Sequence, residues 1–350
     1  MPIRVLVVDD SVFMRRVIAD VLGQEPDIEV VGLAADGLEA VELARRLSPD
    51  VITLDVEMPR LNGLEALRRL LEERPYRVVM VSSLTREGAE VTVEALALGA
   101  VDFVTKPSRG WGQEAAAVWG ELGRKIRIAA QSRVRPVHRQ VPPAGHEQVP
   151  PIPGAEGRGG ATGCYVVLGA STGGPQALME VVPGLPRTLA AAVLVVQHMP
   201  AGFTQALAAR LARAGALPVR EAGDGQVLQH GEVVVAAGGR HLRVTRGGRI
   251  GLDDGPACLG VKPALDVTLL SLAQAAPRRV VVVVMTGIGT DGTRGARVLK
   301  EQGAVIVAQD EATSAVWGMP RSIVSQGLAD YVIPLPDMAA VITSLVGEGA

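Results

Sequence analysis

Three side chains in the second half of the sequence, Ser171, His198 and Asp291, are of the types that perform nucleophilic catalysis together. A serine hydroxyl is a poor nucleophile until a base takes its proton, and a neutral histidine can do so near physiological pH. A carboxylate bound to the other ring nitrogen would fix the histidine tautomer and stabilise the imidazolium. These residue types predict catalysis with Ser171 as nucleophile, His198 as base and Asp291 as the residue that orients the base.

Ser171 lies in a strand-to-helix turn that is predicted from the pattern on either side of it. The apolar run of residues 165–168 is typical of a buried strand, and apolar residues recur with helical spacing after Pro175. Residues 169–173, Gly-Ala-Ser-Thr-Gly, match the G-x-S-x-G pattern, in which glycines allow a sharp turn and expose the hydroxyl. Two other interpretations stay open for this stretch alone, a phosphate cradle or simply a tight connection.

His198 and Asp291 follow other predicted strands. The apolar run 191–196 ends shortly before Pro200, and Asp291 lies in the glycine-rich turn after the run 280–285. Each residue has a structural alternative, a hydrogen-bonded histidine at a strand end and an aspartate that caps the helix after it. The order Ser, His, Asp differs from that of α/β-hydrolases, so that fold is not inferred. Three matching residue types at one sheet edge favour catalysis.

A second group of polar side chains follows the predicted strands of the first half. Its members are Asp9, Asp10, Asp55, Ser82 and Lys106. The carboxyl ends of parallel strands meet at one edge, where open α/β sheets bind their ligands. Acidic groups there are ligands for hard cations such as Mg²⁺. Ser83 is an equally near hydroxyl, so spacing leaves the choice between Ser82 and Ser83 open.

The bulk composition limits the classes of function. At 350 residues the chain is long enough for two domains, and its formal net charge of −2 and isoelectric point near 6.3 argue against a nucleic-acid partner. Cys164 and Cys258 are too few for a disulfide framework or a thiolate metal site. Neither a leader nor an apolar run of bilayer length is recognised, so we expect a cytoplasmic protein without membrane insertion.

Short apolar runs between helical segments predict an α/β protein of two domains. Residues 1–125, with a last helix that runs to about residue 130, are predicted to form a doubly wound, five-stranded parallel domain of the flavodoxin-like kind. Residues 131–162 are rich in proline and glycine and indicate a linker. Residues 163–350 are predicted to form a mostly parallel, three-layer α/β domain. An antiparallel hairpin region within it is predicted at residues 233–236, 242–244 and 250–252.

The first half resembles the receiver domain of response regulators over about residues 1–125. The resemblance implies that Asp55 accepts a phosphoryl group from a histidine kinase, with Mg²⁺ held by Asp9, Asp10 and Asp55. It also implies that Ser82 contacts the phosphoryl group and that Lys106 pairs with its charge. Transfer to a carboxylate needs a divalent cation and a fixed positive charge to neutralise the oxygens. The Lys106–Pro107 bond is a candidate cis peptide, as in that family.

The second half, over about residues 163–347, resembles the catalytic domain of the bacterial chemotaxis protein-glutamate methylesterases. The motifs that carry the resemblance are residues 169–175 (Gly-Ala-Ser-Thr-Gly-Gly-Pro), 197–200 (Gln-His-Met-Pro), 262–267 (Lys-Pro-Ala-Leu-Asp-Val), 286–292 (Thr-Gly-Ile-Gly-Thr-Asp-Gly) and 318–320 (Gly-Met-Pro). The resemblance gives Ser171, His198 and Asp291 the three catalytic roles. It also places Thr172 beside the nucleophile and makes the backbone N–H of Ile288 a donor to the oxyanion.

This sequence departs from the usual motifs of that family at three positions. Ile288 replaces Met, Thr290 replaces Asn and Lys262 replaces Arg. A backbone donor at Ile288 does not depend on the side chain, so the first change is tolerable. Lys262 cannot reproduce the bidentate contact of a guanidinium, so the resemblance does not fix the substrate contacts near this residue.

A receiver, a linker and a methylesterase domain in that order imply a phosphorylation-activated enzyme of bacterial chemotaxis. It would hydrolyse glutamate methyl esters on helices of methyl-accepting chemoreceptors and deamidate receptor glutamines, as part of sensory adaptation. The chemotaxis histidine kinase would be the phosphodonor, and the receiver would act as a regulated lid. The esterase domain would need no cofactor.

Two other functions fit part of the sequence. A phosphorylation-controlled binding protein without catalysis, such as a transcription regulator, would explain the receiver, but no helix-turn-helix pattern follows the linker. Nucleotide binding would explain the glycines of residues 169–174. Neither explains why His198 and Asp291 are predicted at the same sheet edge as Ser171.

Overall fold

The chain is described here from a computed structural model, which covers residues 1–83, 85–107, 113–134 and 163–347. The chain divides into two compact units near residue 140. Residues 135–162 of the predicted linker lie outside the described residues, and the domain boundaries stay predictions. Among the helices of the described residues, none is long and apolar enough to cross a membrane.

The first unit is the predicted parallel sheet of five strands with helices between them. Its strands are β1 (Ile3–Val8), β2 (Ile28–Ala34), β3 (Val51–Asp55), β4 (Val78–Ser82) and β5 (Asp102–Thr105). Its helices are α1 (Val12–Leu22), α2 (Gly37–Leu47), α3 (Gly63–Glu73), α4 (Arg86–Leu98) and α5 (Gln113–Gln131). The strands lie in the order β2-β1-β3-β4-β5, and every pair is parallel.

The local sequence explains where the first four helices begin. Ser11, Asp36, Asn62 and Thr85 precede α1 to α4, and each side chain accepts a hydrogen bond from a backbone N–H of the first turn. The direction of the crossovers changes between β1 and β3. The residues that follow β1 therefore lie beside the end of β3, where doubly wound sheets bind ligands.

The second unit also has a parallel sheet at its centre. Its strands are β6 (Cys164–Ala170), β7 (Ala192–Gln197), β8 (Val219–Glu221), β9 (Val233–Val235), β10 (His241–Thr245), β11 (Arg249–Asp253), β12 (Arg279–Val284), β13 (Val305–Gln309) and β14 (Tyr331–Ile333). Its helices are α6 (Gly174–Val181), α7 (Phe203–Ala214), α8 (Leu265–Ala275), α9 (Thr293–Glu301), α10 (Met319–Ser325) and α11 (Met338–Val346), with short 3₁₀ turns at Val182–Gly184 and Leu335–Asp337. Seven strands form the central sheet in the order β14-β13-β12-β6-β7-β9-β8.

The strand β9 pairs differently from the sequence prediction. Residues 233–236 are predicted above as part of an antiparallel region, but β9 pairs parallel with β7 and β8 and belongs to the central sheet. All residues of Val233–Val235 are buried, which is typical of a parallel strand with both faces covered. Only β10 and β11 form the predicted antiparallel pair. The three-residue strand β8 has no prediction because so short a segment carries no periodicity.

The bond between Lys106 and Pro107 is trans, so the cis peptide expected there is wrong. The cis X-Pro bond of the described residues is Lys262–Pro263. The trans form of an X-Pro bond is favoured by only about 0.5–1 kcal/mol, so local sequence does not decide which bond is cis.

The described helices of the second unit begin without a side-chain cap from the residue before them. Among the described residues, none of α6 to α11 has a side-chain hydrogen bond from its own capping residue. Packing contributes to fixing the start of α8, because the side chain of Leu265 fills space left by Gly169 and Gly292. A Cβ atom at either glycine would overlap the Leu265 side chain.

We expect Gly63→Ala to destabilise the first unit, whereas Gly120→Ala should stabilise it. A Cβ at Gly63 would overlap the carbonyl oxygen of Asp55, so the backbone after β3 would have to move, at about 1–3 kcal/mol. Gly120 lies within α5 and has nothing within 4 Å of a Cβ. Alanine there should add about 0.5–1 kcal/mol through helix propensity. Urea unfolding of the full chain, with hydrogen exchange of β1 and β3 amides, measures the stability change of each variant. Equal changes in the two variants would contradict the close packing of Gly63 against Asp55.

Candidate functional site

Ser171 and His198 follow directly after neighbouring strands. Ala170 at the end of β6 pairs with Gln197 at the end of β7, so the next residue of each strand is Ser171 and His198. The backbone N–H of His198 donates to Ala170 O at 3.1 Å and keeps the two strand ends together. The register therefore places the predicted nucleophile and base at one edge of the central sheet.

The backbone of the Ser171 turn is held by three hydrogen bonds. Its N–H donates to Thr286 O at 3.0 Å, and its carbonyl accepts from Gly174 N at 2.8 Å and from Gln197 Nε2 at 2.9 Å. Gly173 has a φ of 75°, a conformation that glycine adopts without steric cost. Ser171 itself is half-buried. The turn is thus a fixed support for a partly exposed hydroxyl.

The structure brings His198 and Asp291 into direct contact. His198 Nε2 lies 2.7 Å from Asp291 Oδ2, and both side chains are almost buried, at 8% and 3% exposed. The Asp291 carboxylate also accepts from Leu265 N at 2.6 Å and from Asp266 N at 2.9 Å, in the first turn of α8. Asp291 therefore satisfies the N-terminus of α8, which excludes the simpler alternative that it only caps the helix after it.

These contacts decide the charge of Asp291. Burial alone would raise the pKa of its carboxyl group, but the hydrogen bond and charge of His198 and the N–H groups of Asp266 and Leu265 outweigh burial, so the pKa lies below its usual value. An ionised carboxylate can only accept, so Nε2 of His198 carries the proton that it donates to Asp291. In neutral His198 the lone pair is then on Nδ1, which is buried and has no hydrogen-bond partner among the described residues.

The Ser171 hydroxyl is not hydrogen-bonded to His198 in this structure. Of the three residues predicted to act together, the structure pairs the histidine with the aspartate and places the serine on the adjacent strand end. Hydrogen bonds between catalytic groups often form only when substrate is bound. The unpartnered Nδ1 atom is the basic group that the arrangement leaves available.

The segment after β12 packs against Ser171. A Cβ at Gly287 would lie 2.7 Å from Ser171 Cβ, so only glycine allows this approach. Gly287 is held on both sides, since its N–H donates to Val316 O and its carbonyl accepts from Met319 N. The next N–H, that of Ile288, has no partner among the described residues. It is therefore free to bind an anionic oxygen.

Several residues that support the site are absent from the predicted set. Thr286 Oγ1 donates to the carbonyl of Thr172 at 2.9 Å, and Thr286 N donates to Gln309 Oε1 at 2.8 Å. Thr172 itself is buried. Thr286 and Gln197 lie inside the motifs quoted above, so the sequence marks these two residues but does not indicate which groups they contact. Gln309 ends β13 and carries no sequence signal of its own.

The first unit brings its predicted acidic residues together. Ligand oxygens of Asp9, Asp10 and Asp55 all lie within 4.8 Å of one another. Lys106 Nζ is 2.7 Å from Asp55 Oδ2 and 2.8 Å from Asp9 Oδ2, although the contact with Asp9 lacks hydrogen-bond alignment. One ammonium cannot balance three carboxylates. The all-oxygen donor set and its excess negative charge fit a hard divalent cation.

The surroundings of Asp55 disfavour the charged form of its carboxyl group. Burial raises the pKa of its carboxyl group to about 6, with Lys106 lowering it and Asp9 raising it further. For Lys106, burial lowers the pKa, but Asp55 and Asp9 together raise it above its usual value. The ammonium is therefore charged at neutral pH and remains beside Asp55.

Both candidate hydroxyls after β4 have partners. Ser82 is fully buried, and its Oγ lies 2.7 Å from Thr92 Oγ1 of α4 and 3.3 Å from Gly88 O. Ser83 Oγ lies 3.2 Å from Thr85 Oγ1. The Ser82 hydroxyl is thus directed towards α4, and the choice between the two serines stays a prediction.

We expect Asp55→Asn to raise the stability of the first unit at pH 7.5. With a pKa of about 6 in the folded chain and 3.8 as its reference, Asp55 holds more protons folded than unfolded between these values. Stability therefore falls as pH rises through this window, by about 2–3 kcal/mol, and asparagine removes the loss. Urea unfolding without divalent cations should show the gain at pH 7.5 and little at pH 4.

The matched control for this measurement is Asp20→Asn. Asp20 is an exposed aspartate on α1, and its substitution should change stability by no more than about 0.5 kcal/mol at either pH. Equal stability of Asp55→Asn and the original chain at pH 7.5 would contradict the strain at Asp55.

Comparison with known proteins identifies the family. A model of the response regulator receiver domain matches residues 5–111, and a model of the CheB methylesterase matches residues 166–342. The protein-glutamate methylesterase/protein-glutamine glutaminase of Symbiobacterium thermophilum is 47% identical over 355 residues, with 99% of this chain and 98% of that protein covered. Its counterpart in Thermotoga maritima is 45% identical over 347 residues, with 98% of each covered.

These matches extend over both units and over the segments that surround Ser171 and Asp55. The resemblances drawn from the motifs are confirmed by them. The chain belongs to the protein-glutamate methylesterase/protein-glutamine glutaminase family, with a receiver domain in its first unit and a CheB methylesterase domain in its second.

Proposed function

We propose that this protein is a phosphorylation-activated hydrolase. It removes the methyl group from glutamate methyl esters on methyl-accepting chemoreceptors and converts receptor glutamines to glutamates. The observation that carries the proposal is the His198–Asp291 pair, which leaves Nδ1 of His198 basic and unpartnered at the strand end next to Ser171.

In the first half of the reaction, Ser171 attacks the ester. His198 Nδ1 takes the proton of the Ser171 hydroxyl as Oγ bonds to the side-chain carbonyl carbon of the methylated glutamate. The imidazolium that forms is stabilised by ionised Asp291. Nδ1 then returns the proton to the methoxy oxygen, methanol leaves, and the glutamyl group remains as an ester on Ser171.

In the second half, water replaces methanol. His198 Nδ1 takes a proton from the water as its oxygen bonds to the acyl carbon, and the collapse returns a proton to Ser171 Oγ. The product is a glutamate carboxylate on the receptor. With a glutamine substrate the same steps apply, and His198 protonates the departing ammonia.

The negative oxygen of each tetrahedral intermediate needs donors. The free N–H of Ile288 follows Gly287, which packs against Ser171, so it is well placed to donate to that oxygen. Thr172 lies beside the nucleophile, and Thr286 Oγ1 binds its carbonyl group. This bond fixes the peptide between Thr172 and Gly173.

We propose that the receiver regulates this reaction through Asp55. Asp9, Asp10 and Asp55 would hold Mg²⁺, which when bound supplies positive charge to the transferring phosphoryl group. Lys106 would pair with the phosphoryl group on Asp55, and Ser82 or Ser83 would contact it. The donor would be a chemotaxis histidine kinase, and both partners would meet the protein in the cytoplasm.

Ser171→Ala should lower methanol release from a methylated receptor by more than about 10³-fold, because the substitution removes the hydroxyl that attacks the ester. The measurement is volatile methanol from a methyl-labelled receptor incubated with the full chain. Phosphorylation of Asp55 in the same variant serves as the control and should be unchanged. Undiminished methanol release would remove Ser171 from the mechanism.

Asp55→Asn should lose activation by a small phosphodonor while keeping basal activity. The change removes the carboxylate that accepts the phosphoryl group, whereas Ser171, His198 and Asp291 are untouched. Methanol release is compared with and without acetyl phosphate and Mg²⁺, with Asp20→Asn as the matched variant that should still respond. Full activation of Asp55→Asn would refute regulation through this residue.

A further inference from the structure

Helices α8 and α9 each lack a cap of their own and receive one from the other helix. The residues before them, Ala264 and Gly292, make no side-chain cap hydrogen bond. Asp291, which directly precedes Gly292, accepts from two N–H groups of α8. In return, Asp266 in the first turn of α8 accepts from Gly295 N in the first turn of α9 at 2.7 Å. Each of the two aspartates thus caps the other's helix: Asp291 caps α8, and Asp266 caps α9.

Asp266 occupies a costly position for a carboxylate. It is 4% exposed, and burial raises the pKa of its carboxyl group, with the nearby charge of Asp291 raising it further and the N–H groups of Gly295 and Gly292 lowering it. A buried carboxyl group is unfavourable unless hydrogen bonds satisfy it. The bond to Gly295 is the contact that fixes this side chain against α9.

The two caps form a closed cycle around the catalytic carboxylate. The first turn of α8 holds Asp291, Asp266 on that same turn holds α9, and the chain runs back from α9 through Gly292 to Asp291. Loss of either cap would let the two helix starts move relative to each other. Asp291 would then move relative to His198.

We propose that Asp266 is a positioning residue for catalysis, one that keeps Asp291 in line with His198 through its bond to Gly295. This inference rests on the proposed esterase reaction and adds a residue to its machinery. Asp266 does not act on the substrate, because its carboxylate is directed at the backbone of α9. Its contribution is therefore to the rate of the chemical step and not to substrate affinity.

The test compares Asp266→Ala with Asp266→Asn in the full chain activated by acetyl phosphate. Alanine removes the acceptor for Gly295 N, whereas asparagine keeps an oxygen at the same place. We expect kcat for methanol release to fall roughly 10- to 100-fold in Asp266→Ala, with KM within about twofold of the original. Asp266→Asn should keep kcat within about threefold, since a neutral amide oxygen still accepts the hydrogen bond.

A matched control separates positioning from stability. Asp330 also accepts a backbone hydrogen bond, from Ile306 N at 2.8 Å, and pairs with Lys300 in the last turn of α9. Asp330→Ala should lower the melting temperature without a change in kcat of the folded enzyme. The NMR resonance of the His198 Nε2 proton should move in Asp266→Ala and stay in place in Asp330→Ala.

Two results would overturn the inference. One is a folded Asp266→Ala enzyme with the original kcat and His198 resonance, and the other is an Asp266→Asn enzyme as slow as Asp266→Ala. If Asp266→Ala does not fold, Asp266→Ser carries the same expectation, because its hydroxyl is too short to replace the carboxylate oxygen. Failure of the proposed function itself is distinct, since the original chain would then release no Ser171-dependent methanol.

Discussion

The second unit depends on one carboxylate that accepts three hydrogen bonds. Asp291 binds the imidazole of His198 and two backbone N–H groups at the start of α8. The positive end of a helix favours an anion there, and the anion in turn fixes which ring nitrogen of His198 carries the proton. The same bonds thus complete the start of a helix that lacks a cap of its own and leave the lone pair of His198 on Nδ1. Helix packing and the protonation state of the His198 ring are not separable at this point of the fold.

Both units have an aspartate at the carboxyl edge of a parallel sheet, but the pKa shifts of the two carboxyl groups are opposite. Asp291 is satisfied by its neighbours, and the pKa of its carboxyl group is lowered. Asp55 is buried beside Asp9, and the pKa of its carboxyl group is raised to about 6. A carboxylate whose hydrogen-bond donors balance its charge is suited to holding other groups in place. A carboxylate whose charge is not balanced is stabilised when a cation binds beside it or when a phosphoryl group is attached to it. The difference arises from the groups around each carboxylate, because three donors surround Asp291 whereas a second carboxylate, Asp9, lies near the buried Asp55.

Much of this arrangement follows from local sequence. Apolar runs and the residues directly after them place Ser171 and His198 at strand ends and Asp291 in the turn after another strand, and the motifs predict the family. The pairing direction of β9 cannot be predicted from local sequence, because three valines have the same pattern in a parallel and an antiparallel strand. The cap exchange between Asp266 and Asp291 joins residues 25 positions apart, and nothing local marks it. Contacts that depend on how two helices meet become visible only in three dimensions.

The side chain of Leu265 occupies the volume that Gly169 and Gly292 leave open. The first of these glycines is in the strand that leads to Ser171, and the second follows Asp291. Any larger residue at either place would push the side chain of Leu265 aside, next to the amide that binds Asp291. Two positions without side chains therefore restrict which residues can pack between the Ser171 turn and the start of α8. Substitutions intended to change which ester is hydrolysed are therefore better placed in exposed loops than at Gly169, Gly292 or Leu265.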